Sequence, residues 1–197
     1  MKKALIILDV QRIYTDEDSE LSCPKADLTV KNINSLIEKT FELNQLIVLV
    51  RHMHKADGKD LGRLYDYTGE PEKDFNFKEG TEEVEFDSRL KRPSGVLEII
   101  KNRYSAFVGT NLFNILKENK IKKVVICGFM TNFCCESTAR DALDRDFYVD
   151  FVIDATGTPG TDNFGQAKVR NIVAELMDAG FARVMTTKEA ILPWEKK

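Results

Sequence analysis

Short runs of valine, isoleucine and leucine recur at residues 4–8, 45–50, 96–100, 123–127, 148–153 and 181–186. Each is apolar on consecutive positions rather than alternate ones, as expected of strands covered on both faces. Most of the intervening stretches repeat at helical spacing. Val30, Ile33, Leu36, Ile37 and Phe41 form one apolar stripe, and Leu112, Ile115 and Leu116 form another behind Thr110, a fitting N-cap. Ala139, Ala142 and Leu143 follow Cys134, and Val169, Ile172, Val173 and Leu176 run up to Gly180, a helix stop. Strand and helix alternating in this way predict an α/β domain with a mostly parallel sheet and helices on both faces. Ligands of such sheets gather at the carboxyl ends of the strands.

One stretch breaks the rhythm. Residues 55–95 are polar and charged, punctuated by Gly58, Gly62, Gly69, Pro71, Gly80 and Pro93, with no strong period. A connection of this length is usually functional or flexible. It reads either as a lid over the strand ends that carries substrate contacts, or as a surface excursion or subunit contact. No repeat and no linker divides the chain, so residues 1–197 are expected to form one domain.

Charge and composition mainly exclude. A net charge of −3 gives no support to nucleic-acid binding. No run approaches the ~18 apolar residues of a membrane span. The basic start, Met1-Lys-Lys, leads into a short apolar run that ends in Asp9, which reads as a first strand rather than a signal peptide. Four cysteines without a secretory signal point to reduced thiols and the cytoplasm.

The strand ends carry the chemistry. Asp9 closes the first run, Lys101 closes the run from Val96, and Cys134 follows the run ending at Cys127-Gly128 by one short turn. An acid, a cation and a thiol so placed are an apparatus for covalent attack by sulfur. A helix N-terminus and Lys101 are expected to favour the thiolate of Cys134, and Asp9 to accept its proton. The backbone N–H groups of Met130 and Cys134 are candidates to hold an oxyanion. Gln11 either orients Asp9, touches substrate or serves the turn. Tyr14, Phe107, Phe129 and Phe133 either frame an apolar substrate or belong to the core. Arg103 and Tyr104 read as packing and loop anchors, and Cys135 as a small buried hydrophobe.

Three segments carry a resemblance. Leu8-Asp9-Val-Gln11, Lys101-Asn-Arg-Tyr-Ser-Ala-Phe-Val-Gly-Thr110 and Gly128-Phe-Met-Thr-Asn-Phe-Cys134-Cys-Glu-Ser-Thr-Ala139-Arg-Asp-Ala142 resemble, in order, the aspartate, lysine and nucleophile motifs of the isochorismatase-like cysteine hydrolases. The resemblance covers nearly the whole chain and is weakest from 55 to 95. It implies a six-stranded parallel sheet in a three-layer, Rossmann-like sandwich. It also implies an Asp9–Lys101–Cys134 triad, a cis peptide at Phe129–Met130 beside the oxyanion hole, and a homo-oligomer, dimer or tetramer. Isochorismatases proper carry glycine where Cys134 stands, so the cysteine argues for amide rather than vinyl-ether cleavage. Nicotinamidases hold a metal with an Asp-x-His pair and a later histidine. Here His52 replaces that aspartate, His54 matches, and no histidine follows. The expectation is therefore no cofactor and no metal, with His52 and His54 lining the pocket or bonding to the 55–95 segment. The implied function is a cysteine-dependent amidohydrolase that acts on a small amide through a thioester. The alternatives are a nicotinamidase with an altered metal site and a regulatory relative with a vestigial site.

Overall fold

The computed structural model describes residues 1–70 and 74–195; Pro71 lies outside them. The strands are β1 (Lys3–Leu8), β2 (Leu46–His52), β3 (Leu97–Lys101), β4 (Lys123–Phe129), β5 (Tyr148–Gly157) and β6 (Arg183–Met185). They form one parallel sheet in the order β3-β2-β1-β4-β5-β6. The helices are α1 (Arg12–Thr15, a single turn), α2 (Ala26–Glu42), α3 (Leu112–Glu118), α4 (Glu136–Leu143), α5 (Gln166–Asp178) and α6 (Thr187–Glu195).

The continuous apolar runs are explained by two cores. Leu5 and Ile7 of β1 face Val30, Ile33 and Ile37 of α2 and Ala190 of α6. Ala4, Ile6 and Leu8 face the opposite layer, with Leu112 of α3, Ala139 of α4 and Val173 of α5. A strand with helices on both sides has no polar face to alternate with.

The sequence runs and the strands differ where packing changes. β3 is an edge strand, and its Leu97 and Ile100 are exposed, so this run is not covered on both faces. β5 continues to Gly157 beyond a bulge, with Ile126 opposite Phe151 but Gly128 opposite Thr156. β6 is short, and α6 follows it where no helix was expected. The N-cap of α3 is Asn111 rather than Thr110, which lies one residue earlier and accepts the N–H of Leu112 on its hydroxyl at 3.2 Å.

The close approach of β1 and β4 requires Gly128. It pairs with Leu8 and has φ +121°. A Cβ there would lie 1.9 Å from the carbonyl oxygen of Leu8. Strand order reverses between these two strands, because β2 and β3 lie to one side of β1 while β5 and β6 lie beyond β4. Such a switch point opens a crevice at the carboxyl ends.

Candidate active site

Asp9 is the first residue past β1 and turns left-handed, with φ +51°. Aspartate tolerates this region better than most residues. Its N–H continues the sheet to Val50 O at 2.9 Å, and Gln11 N–H closes back on its carbonyl at 2.8 Å. Lys101 is the last residue of β3, in register with His52. Cys134 lies in a π-helical turn, Thr131–Cys135, that runs into α4. Thr131 anchors this turn to the end of β5 through Thr156, at 2.9 Å. The Phe129–Met130 peptide entering it is cis.

These three elements bring the three residues together. The Lys101 ammonium stands 2.8 Å from Asp9 Oδ2 and 3.2 Å from Cys134 Sγ. It donates its remaining hydrogen bond to Arg103 O at 3.1 Å. All three side chains are buried. Burial lifts the Asp9 pKa above the usual carboxylate range, against the pull of Lys101. Burial alone would lower the Lys101 pKa, but Asp9 and Cys134 outweigh it and keep the ammonium charged. The expected thiolate needs correction. Burial pushes Cys134 up to about 12, and the Lys101 charge only partly opposes it. The sulfur therefore holds its proton at neutral pH, with a carboxylate oxygen of Asp9 within 4.8 Å to receive it.

The thiol opens into a cavity of about 640 Å³. Tyr14, His52, Met130, Phe133 and Cys134 line it from the strand ends, and Tyr104 from the loop after β3. Leu64, Tyr65, Tyr67 and Phe77 line it from the long connection, so described residues of the 55–95 segment border the site within its own chain. Tyr14 stacks on Phe129 at 5.6 Å, and His52 stacks on Phe77 at 4.3 Å.

Three residues that the sequence offered as substrate contacts take other places. Phe107 packs in the core against Phe147 at 6.2 Å, away from the cavity. Gln11 is fully buried, and its amide is spent on backbone. It donates to His52 O and Val84 O, each at 2.9 Å, and accepts His52 N–H at 2.8 Å. These bonds tie the His52 backbone to Gln11. His54 lies behind His52 rather than on the cavity wall, its Nε2 3.1 Å from His52 Nε2. The lining residues Leu64, Tyr65, Tyr67 and Phe77 were missed because no periodicity marks a loop residue that turns inward.

The donors do not suit the metal that the nicotinamidase resemblance brings to mind. His52 and His54 point Nε2 at each other, and the nearest carboxylate, Asp60, faces the other nitrogen of His54 at 3.6 Å. Among the described residues the converging donor group is Asp9, His52 and Cys134. The Lys101 ammonium already bonds to two of those three and occupies the place of a cation. No helix among the described residues is long and apolar enough to cross a membrane.

Comparison with known proteins fits this architecture. The isochorismatase domain family matches residues 3–189. Nicotinamidase 3 of Arabidopsis thaliana is 32% identical over 157 residues, covering 79% of this chain and 73% of that one. The crystal structure of a cysteine hydrolase from Pseudomonas syringae pv. phaseolicola superposes with a TM-score of 0.90 at 26% identity, over 98% of this chain and 92% of that one. N-carbamoylsarcosine amidase from Thermoplasma acidophilum superposes with a TM-score of 0.77 at 26% identity, over 95% of this chain and 97% of that one. A parallel sheet that gathers an acid, an ammonium and a thiol at its strand ends defines a hydrolase of the isochorismatase-like class. The chain belongs to the isochorismatase family.

Proposed function

We propose that this protein is a cysteine-dependent amidohydrolase that cleaves the C–N bond of a small amide through a thioester on Cys134. One observation carries the reading: a single buried ammonium touches both the carboxylate and the sulfur, at 2.8 and 3.2 Å, and the sulfur lines a cavity. Asp9 takes the thiol proton as sulfur attacks the carbonyl carbon. The oxyanion rests on the N–H groups of Met130 and Cys134. Asp9 returns the proton to the leaving nitrogen, the C–N bond breaks, and ammonia or an amine departs. Water, deprotonated by Asp9, then attacks the thioester carbon, the C–S bond breaks, the acid departs, and Asp9 returns the proton to the Cys134 sulfur. Lys101 stabilises the forming thiolate and holds Asp9 in reach.

The cavity wall is largely aromatic, which suits a small flat or apolar acyl group. The four free cysteines are all buried, which is compatible with a reducing compartment such as the cytoplasm. The test is a screen for ammonia release from nicotinamide, carbamoyl compounds and simple carboxamides. Cys134→Ala should reduce turnover by about 10³-fold or more while circular dichroism stays unchanged. Undiminished hydrolysis by that variant would refute the nucleophile assignment.

A further inference from the structure

We infer that Asp60, His54 and His52 form a directional relay, electrostatic from Asp60 to His54 and hydrogen-bonded from His54 to His52, whose open end, His52 Nδ1, accepts an N–H of the amide that Cys134 attacks. The inference rests on the amidohydrolase reading of this cavity and narrows its substrates to amides with a hydrogen on the scissile nitrogen.

The direction is set at Asp60. Its carboxylate is held by Lys55 N–H at 3.0 Å and Asn102 Nδ2 at 3.1 Å, and its backbone carbonyl by Arg103 Nη1 at 2.7 Å. Those donors outweigh partial burial and keep it ionised. Its Oδ1 stands 3.6 Å from His54 Nδ1, beyond hydrogen-bond length, and acts on that nitrogen through its charge. A carboxylate there attracts an N–H and repels a lone pair, so His54 carries its proton on Nδ1. Its Nε2 is then an acceptor. The contact of 3.1 Å between the two Nε2 atoms needs one donor, and His52 must supply it. Both rings are neutral. Burial pushes His52 well below its ordinary pKa, with Lys101 adding to the effect, and burial lowers His54 despite Asp60. A neutral imidazole has one proton, so a His52 that donates from Nε2 keeps a bare lone pair on Nδ1.

That atom is buried and has no hydrogen-bond partner among the described residues. Buried polar atoms are nearly always paired. His52 lines the cavity, and one of its ring nitrogens lies within 4.8 Å of the Cys134 sulfur and an Asp9 oxygen. The ring cannot readily swing away. Its plane lies on Phe77 at an interplanar angle of 8°, and Gln11 clamps its backbone. Lys101 can only donate, and Asp9 is needed to carry the thiol proton to the leaving nitrogen, which leaves His52 as the acceptor for a guest N–H. An amide nitrogen that donates to His52 is held in place while Asp9 protonates it. An ester or an N,N-dialkyl amide has no such hydrogen to give.

The chain contains only two histidines, which makes the relay directly readable. Long-range proton–nitrogen NMR of histidine-labelled protein at neutral pH should show His52 protonated at Nε2 and His54 at Nδ1. Asp60→Ala should mix the two tautomers. A wild-type His52 that carries its proton on Nδ1, or is doubly protonated, would overturn the relay. The kinetic arm uses the primary carboxamide that releases most ammonia in the screen, together with the methyl ester of the same acid. His52→Phe should lower kcat/KM for the amide at least about tenfold more than for the ester. Equal losses on both substrates would place His52 at the thioester step and overturn the inference. Cys134→Ala should lose both activities, and an active Cys134→Ala would overturn the nucleophile assignment while the NMR result still decides the relay.

Discussion

Lys101 shows how much chemistry one residue concentrates when it is removed from water. Its ammonium has no solvent exposure, and it neutralises an equally buried carboxylate. Breaking such a pair strands a charge, whereas replacing both members removes the penalty. Lys101→Ala should therefore cost about 3–5 kcal/mol in urea unfolding and eliminate turnover. The double variant Asp9→Asn with Lys101→Met should recover most of that stability and none of the activity. Equal destabilisation of the single and double variants would mean that packing, not charge, holds this corner. The convergence of Asp9, Lys101 and Cys134 was legible in the sequence, because Asp9 and Lys101 each close an apolar-rich run, Cys134 follows another by one turn, and all three lie in segments that resemble known motifs. Side-chain direction was not legible. Gln11 and His54 follow strand ends closely and Phe107 lies in the loop after β3, and sequence position does not decide whether such a residue faces a cavity, a backbone or a core. The charge state of the thiol was also hidden, since its dominant cause is burial by residues distant in sequence.

At the scale of elements, the join between β4 and α4 sets the geometry of the nucleophile. The N–H groups of Phe133 and Cys135 both return to Met130 O, at 3.3 and 3.1 Å, and wind the turn tightly. Thr131 ties it to β5. Gly157 admits the Phe129 ring, which would lie 2.4 Å from a Cβ there. Gly128 is the least replaceable member. Its positive φ and its contact with Leu8 O both exclude a side chain, and the clash is with backbone that cannot step aside. Gly128→Ala should lower stability by at least about 3 kcal/mol, measured by denaturant unfolding, or yield insoluble protein. A soluble variant of near wild-type stability would show that β1 and β4 separate at little cost. The alternation of strands and helices was legible here, because burial on two faces imposes it. The bulge that extends β5 to Gly157 was not, since its apolar run stops at the bulge while backbone pairing continues.

At the scale of the whole molecule, sheet order and the long connection act together. The order β3-β2-β1-β4-β5-β6 places the ends of β1, β2 and β4 side by side, and the segment between β2 and β3 folds over them. The result is a distinct fate for each thiol. Cys23 and Cys127 belong to one core and Cys135 to the other, while Cys134 alone among the free cysteines lines the cavity. Burial raises the pKa of all four, that of Cys134 to about 12. Below that value the thiolate fraction grows tenfold with each pH unit. Iodoacetamide should therefore modify one site per chain, mapped to Cys134 by peptide mass, with activity lost in step. The rate should climb about tenfold per pH unit between about pH 7 and 9, with no plateau. A plateau near neutrality would mean that Lys101 and the helical turn outweigh burial and that the resting sulfur is a thiolate. Prior labelling of Cys135 would mean that the turn presents the neighbouring sulfur to the cavity, and the nucleophile would have to be reassigned with it.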